Sequence, residues 1–250
     1  MSGWRASIGV ISPVGEAVER AFNLYAPEGV TINSTKIWFP GPSVEGLIHL
    51  TDQLEGAAKI FARQRHDVVF FGCTSGSLIK GKGFDLECIR RIESSSGGAK
   101  GLTTSTAVLE AFERLGVSST AVVTPYPDEV NEAERKFLED NGIHVTYIEG
   151  MADSPVRNVP SVSQGIVRQN MDAGDIPQAR LYRAAKELKR DGAESIFISC
   201  AGLNTTEIID LLEEDLNIPV ITSNQAGLWS ALRHSEVGTK IPKLGKLFTL

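Results

Sequence analysis

Short apolar runs rich in β-branched residues alternate along the chain with longer stretches whose apolar residues recur at helical spacing. This alternation is typical of βα units built on a mostly parallel sheet. The runs predict eight strands, at residues 6–12, 30–38, 67–72, 99–104, 119–124, 143–148, 194–199 and 218–222. The pattern therefore predicts an α/β fold with helices in most of the gaps.

Helical periodicity is clearest in three of those gaps. It predicts helices over residues 43–65, 128–141 and 176–191. Asp128 is suited to cap the second helix, because a carboxylate oxygen can accept a hydrogen bond from a free N–H of the first turn. Gly142 and Gly192 can adopt the left-handed conformation that ends a helix, so they mark where the second and third helices stop.

Residues 150–174 break this regular alternation. The segment GMADSPVRNVPSVSQGIVRQNMDAG has no clear period. A long loop inside a compact domain is usually functional or mobile. The segment is therefore predicted to be a loop that could act as a lid.

Two parts of the chain share one order of features. DVVFFGCTSGSLI and ESIFISCAGLNTTEI each contain an acidic residue, an apolar strand, a cysteine, small residues and the start of a helix. TSTAVL at 104–109 and TSNQAGL at 222–228 each follow an apolar strand and open a helix. Two landmarks in the same order in each half predict a duplicated α/β unit with pseudo-twofold symmetry.

Composition and charge exclude several classes of function. The 250 residues are 42% hydrophobic, which is enough for a full core, and the net charge of −6 comes without a basic cluster, so nucleic acid is not an expected partner. No apolar run is long enough to span a membrane, and the N-terminal segment lacks the features of a signal peptide, so a cytoplasmic protein is expected. The three cysteines form no CxxC, and the four histidines show no metal-ligand spacing, so neither a disulfide framework nor a metal site is predicted.

The repeat places Cys73 and Cys200 opposite each other across a cleft, at carboxyl ends of strands, where α/β sheets bind ligands. A helix starting just after each cysteine is expected to favour the thiolate, which could serve as a base or a nucleophile. Thr74 and Ser75 can offer hydroxyl groups to a substrate carboxylate. Ala201 and Gly202 can offer N–H groups to the negative charge that develops on it. A small-molecule carboxylate is thus the expected partner, and no cofactor is required.

Other candidate features favour structural interpretations. Cys88 lies at helical spacing among apolar residues and is predicted to pack in the core. GSLIKGKG resembles a phosphate-binding loop but has Gly83 where that motif needs Ser or Thr, and it begins too far from its strand. Tyr126 follows another strand, so its hydroxyl either points into the cleft or covers the strand end.

The motifs resemble those of a known superfamily. IGVISP, CTSGSLIKG, TTSTAVLEAFERLGV, VVTPYPDEVN, ISCAGLNTTEIIDLLEEDLNIPVITSNQAGLW and KLGKLF together resemble the aspartate/glutamate racemase superfamily, in its branch of maleate cis-trans isomerases and arylmalonate decarboxylases. The resemblance runs nearly from end to end. It implies two Rossmann-like lobes with parallel sheets about a pseudo-twofold axis, the first formed by 1–104 and 222–250 and the second by 105–221, with the active site in the cleft between them.

The resemblance also implies roles for individual residues. Cys73 matches the cysteine that attacks a double-bond carbon in the isomerases or acts as a base in the racemases, and Cys200 matches its partner acid. The positions matched to substrate binding are Pro13, Thr74, Ser75, Tyr126, Ala201 and Gly202. Arylmalonate decarboxylases have glycine at the first cysteine position, so Cys73 favours isomerase or racemase chemistry.

Two further features bear on the substrate. Maleate isomerases carry an asparagine soon after the first strand that binds a substrate carboxylate, and the segment SPVGEAVE has none. They carry a second asparagine in the loop after residue 150, and Asn158 is the candidate for that position. The segment IWFPG at 37–41 would either line the pocket, favouring a substrate with an apolar portion, or belong to the core.

Three hypotheses follow. The first is a cofactor-independent two-cysteine isomerase, similar to maleate cis-trans isomerase, acting on a small dicarboxylate. The second is a racemase or decarboxylase-like carbanion enzyme acting on a 2-substituted carboxylic acid. The third is a small-molecule binding protein without catalysis. Each is compatible with a homodimer.

Overall fold

The computed structural model describes residues 3–13, 15, 17–151, 156–161, 165–170, 173–188 and 190–250. Its strands are β1 (Ala6–Pro13), β2 (Val30–Ile37), β3 (Val68–Phe71), β4 (Lys100–Thr103), β5 (Ser119–Thr124), β6 (His144–Gly150), β7 (Val156–Ser161), β8 (Gly165–Asn170), β9 (Ser195–Ile198) and β10 (Val220–Thr222). Its α-helices are α1 (Ala17–Tyr25), α2 (Val44–Thr51), α3 (Leu54–Phe61), α4 (Thr74–Leu78), α5 (Phe84–Ser95), α6 (Thr104–Leu115), α7 (Asp128–Asp140), α8 (Gln178–Glu187), α9 (Ile209–Leu216) and α10 (Ser223–His234).

Two four-stranded parallel sheets with the same connectivity organise the described part of the chain. The first has the strand order β2-β1-β3-β4. The second, listed from its opposite edge, has the order β6-β5-β9-β10, so β3 and β9 occupy equivalent positions. The predicted α/β fold with duplicated parallel sheets is confirmed.

Helices cover both faces of these sheets, which is why β3 and β9 are buried along their whole length. All four residues of β3 and all four of β9 are buried, as expected for strands of a parallel sheet covered on both sides. Helix α10 packs against α6 and also against β3 of the first sheet. Gly227 makes that approach close, because a Cβ there would lie 2.5 Å from Cζ of Phe70.

The structure corrects several details of the sequence prediction. The helix predicted over 43–65 is two helices, α2 and α3, and Asp128 is the first residue of α7 instead of its cap, since Pro127 holds that position. Residues 150–174, predicted as a loop, contain the antiparallel pair β7 and β8. The two strands carry no sequence signal, because apolar and polar positions do not alternate regularly along them. None of the described helices combines the length and apolar character needed to cross a membrane.

Candidate active site

Cys73 and Cys200 lie at the carboxyl ends of equivalent strands. Cys73 is separated from β3 by Gly72 alone, and Cys200 is separated from β9 by Ser199 alone. Both cysteines contact one apolar cluster that also includes Tyr126 and Val130. The two thiols are near enough to interact electrostatically. The structure therefore brings the two predicted cysteines together.

The Cys73 thiol is buried at the N-terminus of the short helix α4. The Gly76 N–H and the Ser75 hydroxyl lie near its sulfur, where each favours the thiolate and so lowers the pKa of the thiol. Residue 76 has no room for a side chain, because a Cβ there would lie 2.9 Å from the Cys73 Sγ. Glycine at this position thus lets the backbone N–H approach the sulfur.

Cys200 has an unusual backbone conformation. Its φ angle is +119°, a region that residues other than glycine rarely adopt. The Gly202 N–H donates a hydrogen bond to the Cys200 Sγ at 3.3 Å. Local strain of this kind concentrates at functional sites, where the surrounding structure holds it in place.

Ser223, the first residue of α10, holds both cysteine segments. Its Oγ accepts a hydrogen bond from the Cys200 N–H at 3.0 Å. The same oxygen accepts another from the Thr74 hydroxyl at 2.9 Å. One buried side chain therefore fixes the position of the segment after β3 relative to the segment after β9.

The Tyr126 hydroxyl is buried beside the two thiols. Its oxygen lies near the Ser75 hydroxyl and the Cys200 thiol, yet it makes no hydrogen bond of standard geometry within the described residues. Burial raises its pKa well above the ordinary value, and the Cys200 and Cys73 thiols raise it further. A buried donor without a partner is costly, so a substrate oxygen is a natural acceptor for this hydroxyl. Of the two sequence interpretations of Tyr126, the one with its hydroxyl in the cleft fits this geometry.

Burial also shifts the pKa of the two thiols. It raises the pKa of Cys73 to about 11 and that of Cys200 to about 12. The expectation that each cysteine favours the thiolate is therefore wrong for the protein without a bound molecule. Helix α4 has only five residues and no helix starts directly after Cys200, so helix dipoles do not outweigh desolvation.

The geometry at these strand ends can now be compared with known proteins. The arylmalonate decarboxylase family model matches residues 9–248. The chain belongs to the arylmalonate decarboxylase family. The predicted resemblance to the branch of maleate isomerases and arylmalonate decarboxylases is confirmed.

Individual relatives point to both activities of the branch. The chain is 29% identical over 205 residues to arylmalonate decarboxylase from Bordetella bronchiseptica, covering 82% of this chain and 80% of that protein. It is 24% identical over 226 residues to maleate isomerase from Nocardia farcinica, covering 87% and 83%. A structure of a cysteine-to-serine variant of the Nocardia farcinica isomerase with a covalently bound succinylcysteine intermediate superposes with a TM-score of 0.85 at 21% identity, covering 97% and 98%.

The family match and these relatives show that the chain is an enzyme, from a family of isomerases and decarboxylases with cysteine-based catalysis. Because the family consists of enzymes, the interpretation of the chain as a binding protein without catalysis is set aside.

The described residues hold no group of three or more His, Cys, Asp or Glu side chains arranged for a metal ion.

The remaining predicted site residues are placed as follows. Pro13 is the last residue of β1 and pairs with Ile37 of β2. The Thr74 hydroxyl and the Gly202 N–H, predicted to contact substrate, are already engaged with Ser223 and Cys200. Ala201 is buried, and its carbonyl oxygen accepts a hydrogen bond from the Asn224 side chain at 3.1 Å.

Asn158 lies in β7, where its backbone is paired with Arg168 of β8. Its side chain lies outside the described part of the structure. Its predicted role in binding a carboxylate stays a prediction.

Sequence reasoning missed two residues near Cys200, which are Ser223 and Glu134. Glu134 is fully buried on α7, and its Oε1 accepts a hydrogen bond from the Ser199 hydroxyl at 2.5 Å. Val130, Glu134 and Phe137 share one face of α7 at helical spacing, and all three are buried. A glutamate on an otherwise apolar helix face was the signal that could have found it.

Cys88 behaves as predicted. It is fully buried in α5 within the apolar core. Burial raises the pKa of its thiol to about 12.

Proposed function

We propose that this enzyme is a two-cysteine cis-trans isomerase acting on a small unsaturated dicarboxylate, of which maleate is the first candidate. The pair of thiols at equivalent strand ends, with the buried Tyr126 hydroxyl beside them, is the observation that carries this proposal. Cys73 favours an isomerase over a decarboxylase, because arylmalonate decarboxylases have glycine at the position that Cys73 matches.

The proposed reaction begins with the Cys73 thiolate, formed by loss of its proton to solvent when substrate is bound. Its sulfur forms a bond to one carbon of the double bond, and the π electrons move toward the carboxylate on the other carbon. Cys200 then delivers its proton to that second carbon, giving a succinyl thioether. After rotation about the resulting single bond, the Cys200 thiolate removes a proton from the second carbon. The C–S bond breaks, its electron pair returns to the Cys73 sulfur, and the double bond forms again in the trans geometry.

Hydrogen-bond donors near the thiols would stabilise the charge that develops on the carboxylate. The Tyr126 hydroxyl is free to donate, and the Ser75 hydroxyl lies beside both Tyr126 and Cys73. Donors already fixed in a buried site stabilise such charge without reorganisation. The high pKa of Cys200 suits a group that must hold a proton until the carbanion forms.

A second candidate is a carbanion enzyme, either a racemase or a decarboxylase, acting on a 2-substituted carboxylic acid. Its support is the 29% identity with arylmalonate decarboxylase and the apolar surroundings of Cys73. Phe71 and Leu50 side chains lie beside Gly76, next to the sulfur, and Phe39 packs on the same cluster. Such surroundings would accept an apolar substituent.

Proton NMR of maleate incubated with the enzyme in heavy water tests the first proposal. Appearance of fumarate supports an isomerase, and deuterium in the fumarate supports proton delivery to carbon by an exchangeable group. Unchanged maleate, followed by activity on an arylmalonate or by exchange of the α-proton of a 2-substituted acid, would replace it with the second candidate. The cytoplasmic location, the homodimer, and the division into lobes at residues 104–105 and 221–222 stay predictions.

A further inference from the structure

The buried carboxyl group of Glu134 has no role in the reaction proposed above. It lies on α7, it is 0% exposed, and its Oε2 has no hydrogen-bond partner within the described residues. A buried ionisable group with an unused oxygen costs stability, so its presence beside a reactive cysteine calls for a functional explanation.

The inner face of α7 supports both functional segments of the second sheet. Asn131 donates a hydrogen bond from its Nδ2 to the Tyr126 carbonyl oxygen at 3.1 Å. One turn further on, Glu134 accepts a hydrogen bond from Ser199, the residue that directly precedes Cys200. The helix thus holds the backbone of Tyr126 and the backbone leading to the strained Cys200.

We propose that Glu134 is a positioning residue for Cys200: it anchors Ser199 and, once ionised, adds to the burial that keeps the neighbouring Cys200 thiol and Tyr126 phenol protonated until substrate binds. This inference rests on the proposed role of Cys200 as proton donor. The groups that interact electrostatically with Glu134 are Tyr126 and Cys200, which follow β5 and β9.

The other elements packed against α7 contribute no competing buried charge. Helix α4 has no ionisable side chain besides Cys73 at its N-terminus, and the ionisable residues of β6, which are His144, Tyr147 and Glu149, are all exposed. Burial raises the pKa of Glu134 to about 7, and the Ser199 hydrogen bond opposes that rise. Its charge therefore changes within the range in which the enzyme can be assayed.

Alkylation of Cys200 tests the proposal without knowledge of the substrate. Initial rates with iodoacetamide are measured from pH 5.5 to 9 by mass spectrometry of the peptide that contains Cys200. The rate should rise with pH but flatten near pH 7, because ionisation of Glu134 makes the thiolate harder to form. Cys73 supplies an internal reference in each sample, since Glu134 is not among the groups that shift its pKa.

Three variants sharpen the test. Glu134→Gln keeps an acceptor for Ser199 without the charge, so the flattening should disappear and alkylation of Cys200 above pH 8 should be about two- to tenfold faster, which corresponds to a fall in pKa of up to one unit. Ser199→Ala should move the flattening to higher pH. Glu132→Gln, on the exposed side of the same helix, should leave the profile unchanged.

If Glu134 had a purely structural role, Glu134→Gln and Ser199→Ala would lower stability without changing the pH profile. That result would overturn the proposal. If Glu134→Gln does not fold, the wild-type profile still decides, because a Cys200 rate that rises through pH 7 without flattening contradicts it. Maleate activity is not part of either measurement, so failure of the isomerase proposal would be seen separately in the NMR experiment.

Discussion

The backbone N–H of Cys200 donates a hydrogen bond to the side chain of Ser223 at 3.0 Å. Cys200 follows β9, and Ser223 follows β10 of the same sheet. Ser223 also accepts a hydrogen bond from Thr74 and begins the helix that packs on β3, so it links Cys200 to the first sheet. It also constrains the residue whose backbone has positive φ. The position of the second thiol therefore depends on both halves of the fold.

Replacement of Ser223 by alanine should weaken both the fold and the site. The Cys200 N–H and the Thr74 hydroxyl would lose their shared acceptor, and a buried unsatisfied donor costs about 1–3 kcal/mol. We expect a loss of stability of that size in denaturant unfolding, together with lower kcat. Ser94→Ala, at an exposed position of α5, is the matched control and should change neither. Unchanged kcat in Ser223→Ala would show that the contact does not position the thiol.

Each of the two cysteines should be required for turnover. Cys73→Ser and Cys200→Ser should each reduce kcat by at least about a thousandfold, because a hydroxyl is a much weaker nucleophile and proton donor than a thiol. Circular dichroism should show the fold preserved. Cys88→Ala, in the core of the first half, should keep its activity and lose only stability. Substantial activity in either serine variant would rule out the two-thiol mechanism.

Loss of the Tyr126 hydroxyl should lower kcat/KM without lowering the stability of the fold. The hydroxyl has no partner in the described structure, so Tyr126→Phe should keep or slightly increase the free energy of unfolding. If the hydroxyl donates to a substrate carboxylate, kcat/KM should fall about ten- to hundredfold. Tyr147→Phe, on β6 and exposed, is the control. A destabilised variant with normal kcat/KM would point to a structural role instead.

The strands and the cysteine pair could be predicted because their signals are local. Four consecutive apolar residues mark β3 and three mark β9, and the small residues after each cysteine mark the strand ends. The charge state of the thiols could not be predicted from the sequence, because desolvation depends on everything packed around Cys73 and Cys200. The roles of Ser223 and Glu134 could not be predicted either, because their partners are distant in sequence and lie on other elements.

Strain at Cys200 should be measurable by substitution. At φ = +119° glycine is unstrained, whereas any residue with a Cβ is strained. Cys200→Gly should therefore be more stable than Cys200→Ala by about 1 kcal/mol. Cys73 has φ = −144°, which residues with a Cβ adopt readily, so there Cys73→Ala should be at least as stable as Cys73→Gly. Thermal unfolding of the four variants gives the comparison. The same order at both positions would show that the backbone at residue 200 stores no strain.

Ionisation of Glu134 should make the protein less stable as pH rises. Burial raises the pKa of this carboxyl from 4.5 to about 7, so the folded state holds a proton that the unfolded state releases at lower pH. Because the unfolded state binds fewer protons in that window, stability falls between about pH 4.5 and pH 7, by on the order of 3 kcal/mol.

Glu134→Gln has no such proton to lose, so its advantage in melting temperature over the wild type should grow from pH 5 to pH 8. Differential scanning calorimetry at several pH values measures that difference directly, and other titrating groups cancel because both proteins share them. Glu132→Gln, exposed on the same helix, should show a difference that does not change with pH. A constant difference for Glu134→Gln as well would mean that Glu134 is ionised throughout this range, and that its carboxylate has a partner that compensates its burial.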